Sequence, residues 1–176
     1  IWSLIVPRLF LSTYGVSIHG LTSTITTIME YVILLSGGIG MVAGQTLYGP
    51  LANKDYKRIN SIYNAIRLTY RKVGIAYVIA IFSIAFVLPR VIGNEIDSLT
   101  VFLLMVIMGL NTVINNVFFC TNAALLQADN RFYVVNILYL IDTNVKNLIE
   151  FVLIKAGIDV QFVLLVPVIS MSVISI

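Results

Sequence analysis

Charged residues are scarce in this 176-residue sequence. Lys, Arg, Asp and Glu together make up 11% of it and the mean hydropathy is +0.99, whereas soluble domains average about 25% charged residues. So few charges could not cover the surface of a soluble domain of this length. The composition therefore predicts an integral membrane protein, in which only helices or closed barrels satisfy the backbone hydrogen bonds.

Cysteine and histidine are also almost absent. Cys120 is the single cysteine and His19 the single histidine, which excludes an internal disulfide and a histidine-based metal cluster in this segment. No metal site is predicted. No basic region followed by a cleavage site precedes the first apolar run, so no secretory signal peptide is expected. We expect the sequence to be part of a longer protein.

Long apolar runs dominate what is present. They are unbroken rather than alternating ten-residue segments, which favours helices over a barrel. The prediction is an all-α integral membrane fold with about six transmembrane helices, the first and last truncated. The expected spans are approximately 1–11, 16–47, 73–91, 99–126, 132–154 and 160 onward. The second span exceeds a ~30 Å hydrocarbon core at ~1.5 Å per residue, so it must tilt or project into water.

A basic connector, residues 48–72, separates the second and third spans. Its only acid is Asp55, and short positively charged loops are retained in the cytoplasm, so we assign the connector to the inside. We predict that its basic residues lie at the membrane surface: Lys54, Lys57, Arg58, Arg67, Arg71 and Lys72.

The connector also carries an apolar stripe at helical spacing, which predicts an amphipathic helix. Its members are Ile59, Ile62, Tyr63, Ile66 and Tyr70. Pro50 is expected to break the preceding span and Asn53 to cap the new helix. The helix either lies on the anionic leaflet or is a solvated connector held by its neighbours.

The stretch YVILLSGGIGMVAG, residues 31–44, imitates the glycine turn of a dinucleotide site. No alternation of strands and helices follows it, so that interpretation is rejected. On one helix, Gly37 and Gly44 would share a stripe with Ser23 and Glu30, since all four are spaced by seven. We predict that Gly37, Gly40 and Gly44 mediate a close helix contact or mark a bend.

Several ionisable residues fall inside the expected spans. Each costs ~2.5 to 3.5 kcal/mol at bilayer depth, so it normally faces a partner or a water-filled cavity. Glu30 is either a proton or cation site or a carboxylate paired to a base elsewhere. Asp142, Lys146 and Glu150 are spaced by four residues. They form either an ion-paired stripe or a cavity wall where Lys146 meets an anionic substrate.

Polar residues in the fourth span and near the end of the first add further candidates. Asn111, Asn115 and Asn122 share a helix face and either join helices or bind substrate. Arg8 either holds a phosphate at the mouth of a cavity or snorkels to lipid headgroups.

Four stretches carry a family resemblance: PRLFLSTYGVSIHGL, YVILLSGGIG, LYGPLANKDYKRINSI and LLQADNRFYV, in that order. With them the chain resembles the amino-terminal half of bacterial polysaccharide exporters, the Wzx-type oligosaccharide flippases of the multidrug/oligosaccharidyl-lipid/polysaccharide exporter superfamily. The resemblance implies that residues 1–176 are one bundle of a two-bundle transporter in the bacterial cytoplasmic membrane. Such proteins move undecaprenyl-pyrophosphate-linked oligosaccharide across it by alternating access.

The resemblance also implies roles for the polar candidates, with no catalytic residue and no cofactor beyond a coupling proton or sodium ion. The expected partners are membrane lipids, the lipid-linked oligosaccharide and polysaccharide polymerase or assembly proteins, with no nucleic acid. Candidate substrate-binding residues are Arg8, Asn111, Asn115 and Lys146. Candidate ion-coupling residues are Glu30, Asp142 and Glu150.

Three other functions stay open on the sequence. A multidrug or cation antiporter of the same superfamily would share the architecture but export small cations. A membrane-embedded transferase would need a catalytic or nucleotide-sugar site, and no loop here is long enough to hold one. An assembly subunit without transport would function normally after its intramembrane charges were neutralised.

Overall fold

The computed structural model describes residues 2–34, 38–93 and 96–174, and every regular element in these ranges is helical. The elements are α1 Trp2–Leu34, α2 Ile39–Ala52, α3 Tyr56–Ile92, α4 Ser98–Ile114, a π-helical segment Asn115–Phe119, α5 Cys120–Ala128, α6 Phe132–Lys155 and α7 Val160–Ile174. The predicted all-α class is confirmed. The stretches Tyr56–Ile92 and Ser98–Ala128 are long and apolar enough to cross a membrane.

Helix α1 is interrupted at Gly15, whose φ of 83° and ψ of 173° are not helical. Such a positive φ favours glycine, because other residues meet steric strain there. The break falls between the two spans predicted to end near residue 11 and to begin near residue 16. The Tyr14 hydroxyl donates to the carbonyl oxygen of Ile158, so the break lies beside the turn between α6 and α7.

The predicted second span, 16–47, is not continuous. Helix α1 ends at Leu34, and Gly38 forms a turn before α2. Residues 35–37 lie outside the described ranges, so the predicted packing role of Gly37 does too. Gly44 lies on α2 while Ser23 and Glu30 lie on α1, and the proposed seven-residue stripe therefore does not run along one helix.

The predicted connector, 48–72, is divided between two helices. Its first residues belong to α2, which contains Pro50, and α3 continues from Tyr56 into the predicted third span without interruption. Asn53 is the C-cap of α2 rather than an N-cap, so that prediction was wrong. The cap of α3 is Asp55, whose side chain accepts a hydrogen bond of 3.1 Å from the backbone N–H of Arg58.

Two apolar clusters hold the helices together. The larger cluster joins α1, α3, α4, α6 and α7, and Ile25, Leu104 and Met105 at its centre are fully buried. The smaller joins α2, the first half of α3 and α5 around Leu47, Ile66 and others. Because α3 takes part in both, it links the two ends of the structure.

Glycines set the closest helix approaches, but not those that the sequence suggested. A Cβ at Gly74 of α3 would lie 2.3 Å from Val117 Cγ2, and one at Gly109 of α4 would lie 2.6 Å from Ile81 Cγ2. A Cβ at Gly40 would lie 3.2 Å from the Tyr70 hydroxyl, whereas one at Gly44 would meet nothing within 4 Å. The tightest of these contacts therefore join α3 to α4 and the π-helical segment.

Candidate functional site

A buried carboxylate lies between α6 and α7. Asp142 of α6 is 3% exposed, and its side chain accepts a hydrogen bond from the Ser170 hydroxyl of α7. Buried carboxylates normally have a compensating charge or several hydrogen bonds, because an isolated charge is costly in an apolar interior. Among the described residues, the hydrogen-bond donor to the Asp142 carboxylate is the neutral hydroxyl of Ser170 on another helix.

A cavity of about 360 Å³ adjoins this pair. Apart from Asp142 and Ser170 its lining is aliphatic: Ile141, Val145, Ile149, Val166 and Ile169. The cavity gives the carboxylate room for a small cation or a hydrated proton. Its apolar wall strengthens any electrostatic interaction made inside it, since the local dielectric is low.

Two other charged residues of α6, Lys146 and Glu150, lie near Asp142 without direct contact. Lys146 and Glu150 are partly buried, and the Lys146 charge acts favourably on both carboxylates. The described ranges contain one ion pair within 4.0 Å, Arg131 with Asp129 at 2.9 Å. Asp142, Lys146 and Glu150 therefore do not form direct salt bridges with one another, and the Lys146 ammonium contacts no carboxylate directly.

An unsatisfied amide lies on the other side of α7. The Oδ1 atom of Asn111 in α4 is buried and has no hydrogen-bond partner among the described residues. Asn111 lines a cavity of about 180 Å³ whose wall also includes Thr26 of α1, Thr112 of α4 and Pro167 of α7. A buried polar atom without a partner beside an open volume suits a water molecule or a substrate hydroxyl.

The π-helical segment begins at the next asparagine along the chain. Asn115 donates from Nδ2 to the Met171 sulfur at 3.8 Å and accepts at Oδ1 from the Cys120 thiol at 3.7 Å. Single π-helical turns within α-helices are frequent at functional sites. Asn115, Asn111 and Asp142 thus all contact or face the stretch 167–171 of α7, which we call the α7 polar seam.

The remaining asparagine of the predicted face acts differently. The Tyr63 hydroxyl donates to Asn122 Oδ1 at 2.8 Å, which joins α3 to α5. Asn122 therefore fits the helix-joining alternative.

Glu30 and Arg8 are not brought to the α7 polar seam. Both side chains are exposed on α1, and neither lines the two cavities beside the seam. Among the described residues Glu30 has no ion pair, so the alternative in which it pairs with a base elsewhere is not observed within them.

The apolar stripe of the former connector is turned into the protein. Ile66 and Tyr70 are buried, and Ile59 and Ile62 pack with them against α2 and α5. The stripe is therefore mostly covered by α2 and α5 rather than laid flat on a leaflet, which favours the alternative of a connector held by its neighbours. All six basic residues predicted at the membrane surface are exposed: Lys54, Lys57, Arg58, Arg67, Arg71 and Lys72.

Sequence reasoning missed Thr26 and the α7 polar seam, which includes Ser170. A signal was present, because α7 is apolar apart from a few residues and Pro167 and Ser170 interrupt it. Within the described ranges no group of three or more His, Cys, Asp and Glu side chains could hold a metal ion.

Comparison of the chain with protein-family models, with curated proteins and with solved structures found no match.

Proposed function

We propose that this chain forms one bundle of a multi-pass transporter in the bacterial cytoplasmic membrane and moves lipid-linked oligosaccharide across it by alternating access. The observation that carries the proposal is the buried Asp142 beside a cavity, in a chain of apolar helices. Ionisable residues inside such helices are costly and typically mark ion or substrate pathways. The sequence resemblance supplies the substrate class.

The polar groups suit the parts of this substrate. Amides such as those of Asn111 and Asn115 hydrogen-bond sugar hydroxyls, and the free oxygen of Asn111 offers one acceptor. Lys146 would attract the pyrophosphate, while the polyprenyl tail remains in lipid. Asp142 would bind the coupling proton or sodium ion, and release of that ion would favour one of the two access states. The reaction changes no covalent bond, so no catalytic residue is required.

The test is gradient-driven flipping by the intact protein in proteoliposomes. A fluorescent undecaprenyl-pyrophosphate oligosaccharide is supplied, and its appearance in the opposite leaflet is followed under a proton or sodium gradient. We expect Asp142→Asn to reduce gradient-driven flipping at least tenfold. The matched control, Asp129→Asn, makes the same change at an exposed residue and should retain wild-type flipping. Equal flipping rates for wild type and Asp142→Asn would refute the coupling role of this carboxylate. Absence of flipping by the wild type would refute the assignment of lipid-linked oligosaccharide as the substrate.

A second function, multidrug or cation antiport, is favoured by the same carboxylate. The cavity beside Asp142 is lined mainly by aliphatic side chains, which suit an apolar organic cation. The same vesicles loaded with a cationic dye distinguish the two. Dye efflux that depends on Asp142, without flipping of the oligosaccharide lipid, would establish antiport instead.

A further inference from the structure

A groove with a volume of about 770 Å³ lies between α2 and the first half of α3. Ligand pockets typically measure about 300 to 1,000 Å³. Its α2 wall is formed by Ile39, Val42, Ala43, Thr46 and Pro50, with Gly38 before the helix, and its α3 wall by Arg58, Ile62, Ala65, Ile66 and Thr69. The groove is therefore long, mainly apolar and open along one side of the structure.

The two threonines of the groove offer little to a ligand. The Thr46 hydroxyl donates to carbonyl oxygens of its own helix, at 2.9 Å to Ala43 and 3.1 Å to Val42. The Thr69 hydroxyl donates to the Ala65 carbonyl at 2.9 Å. With both donors used inside their helices, the remaining polar side chain of the lining is Arg58.

Arg58 keeps its guanidinium available. The nearby carboxylate of Asp55 accepts from the backbone N–H of Arg58, and no ion pair of the Arg58 side chain occurs among the described residues. Lys54, in the turn before α3, and Lys57, in the first turn of α3, are also exposed. The groove therefore combines an aliphatic channel with positive charge at one end.

We infer that this groove binds an anionic membrane phospholipid, with an acyl chain between α2 and α3 and the headgroup phosphate at Arg58. Charge complementarity selects the ligand: both threonine hydroxyls of the lining donate within their own helices, so Arg58 supplies the free side-chain donors, and the charged end of the channel is cationic. Arginine binds phosphate through paired N–H donors. Basic residues near the cytoplasmic surface attract anionic lipid headgroups. The inference is independent of which substrate the protein transports.

Lipid binding to the intact protein in detergent tests the assignment by native mass spectrometry. Phosphatidylglycerol and phosphatidylcholine with identical acyl chains are titrated. We expect phosphatidylglycerol to bind more tightly, and Arg58→Gln to weaken it about fivefold, as expected for one basic residue near an anionic surface. Arg67→Gln is the matched control, since Arg67 lines a different cavity on α3. Equal weakening by both substitutions would show general surface charge and overturn the site.

Blocking the channel tests the acyl-chain half of the inference. Ala65→Trp and Val42→Trp place an indole in the groove from its two walls, and both should reduce binding of both lipids. Unchanged binding in both variants would overturn the inference and indicate that another part of the protein or a partner occupies the groove.

Photo-crosslinking with a diazirine on the acyl chain tests the same site in the unmodified protein. Cross-links should map to the groove-lining residues, and cross-links confined to other surfaces would contradict the assignment.

Discussion

Two helix interfaces of this protein are built in opposite ways. Helix α3 approaches α4 and the π-helical segment closely, since the backbone at Gly109 of α4 lies directly against Ile81 of α3 and the backbone at Gly74 of α3 lies directly against Val117 of the π-helical segment. Helices α6 and α7 leave an open cavity of about 360 Å³ between them and contact each other there through Asp142 and Ser170. Close packing resists movement because interiors pack at crystal-like density. The polar, open interface is thus the better place for binding and conformational change.

The largest expected effect breaks the close interface. Gly74→Val should lower the free energy of unfolding by about 1 to 3 kcal/mol, because overpacking forces backbone shifts. Val117, the obstructing side chain, is β-branched and has few alternative rotamers. The measurement is denaturant unfolding in mixed micelles. Gly44→Ala is the control, since its added methyl group meets no atom within 4 Å, and equal loss in both variants would contradict the proposed close contact.

A gain in stability is expected on the other side of α7 from the open interface, at the cavity between α1, α4 and α7. Asn111→Leu should raise the free energy of unfolding by about 1 kcal/mol, because it removes a buried oxygen that lacks a partner. The matched variant Asn116→Leu removes an amide that donates to the Thr112 carbonyl at 3.1 Å and should give no gain. A stability loss for Asn111→Leu in the same unfolding assay would show that its oxygen is satisfied by water or ligand.

The hydrogen bond across the open interface should contribute less. Ser170→Ala is expected to lower the free energy of unfolding by about 0.6 kcal/mol, the average for side-chain hydrogen bonds between membrane helices. A double-mutant cycle with Asp142→Asn measures the coupling directly. Ser172→Ala is the control, since that hydroxyl donates to the Val168 carbonyl within α7. A coupling free energy of zero would show that the Asp142–Ser170 hydrogen bond does not stabilise the interface between α6 and α7.

The smallest effect is expected from enlarging a side chain in the cavity itself. Val145→Phe should change the free energy of unfolding by less than about 0.5 kcal/mol, because the cavity can accept the ring. The proposed function nevertheless predicts slower flipping, since the ring occupies the space beside Asp142. A stability loss as large as that of Gly74→Val would mean that both interfaces are equally close-packed.

The sequence predicts many of the residues of the candidate site, but it does not predict the contacts that they make. Polar groups within apolar runs predict Asp142, Asn111 and Asn115 as site residues, and the structure places all three around α7. The same reasoning predicts Glu30 and Arg8, yet both lie exposed on α1. A single sequence shows that a polar residue lies within an apolar run, but it does not show the direction in which the side chain points.

The glycines illustrate the same limit. Gly40 and Gly44 attract notice because of their spacing, whereas Gly74 and Gly109 stand alone in their helices. The close contacts nevertheless involve Gly74 and Gly109, because a close approach depends on the partner helix that faces each glycine. Spacing along one helix cannot supply that information.

The sequence by itself determined the helical class, the approximate bounds of the helices after residue 98 and the exposed basic residues between 54 and 72. These follow from local properties: apolar runs, turn residues and charge density act over a few residues. Only the tertiary structure decided that Asp142 meets Ser170, 28 residues away, and that the apolar stripe of α3 packs against α2 and α5. Such contacts depend on how whole helices pack, and the packing is fixed by the summed shape and polarity of many side chains at once.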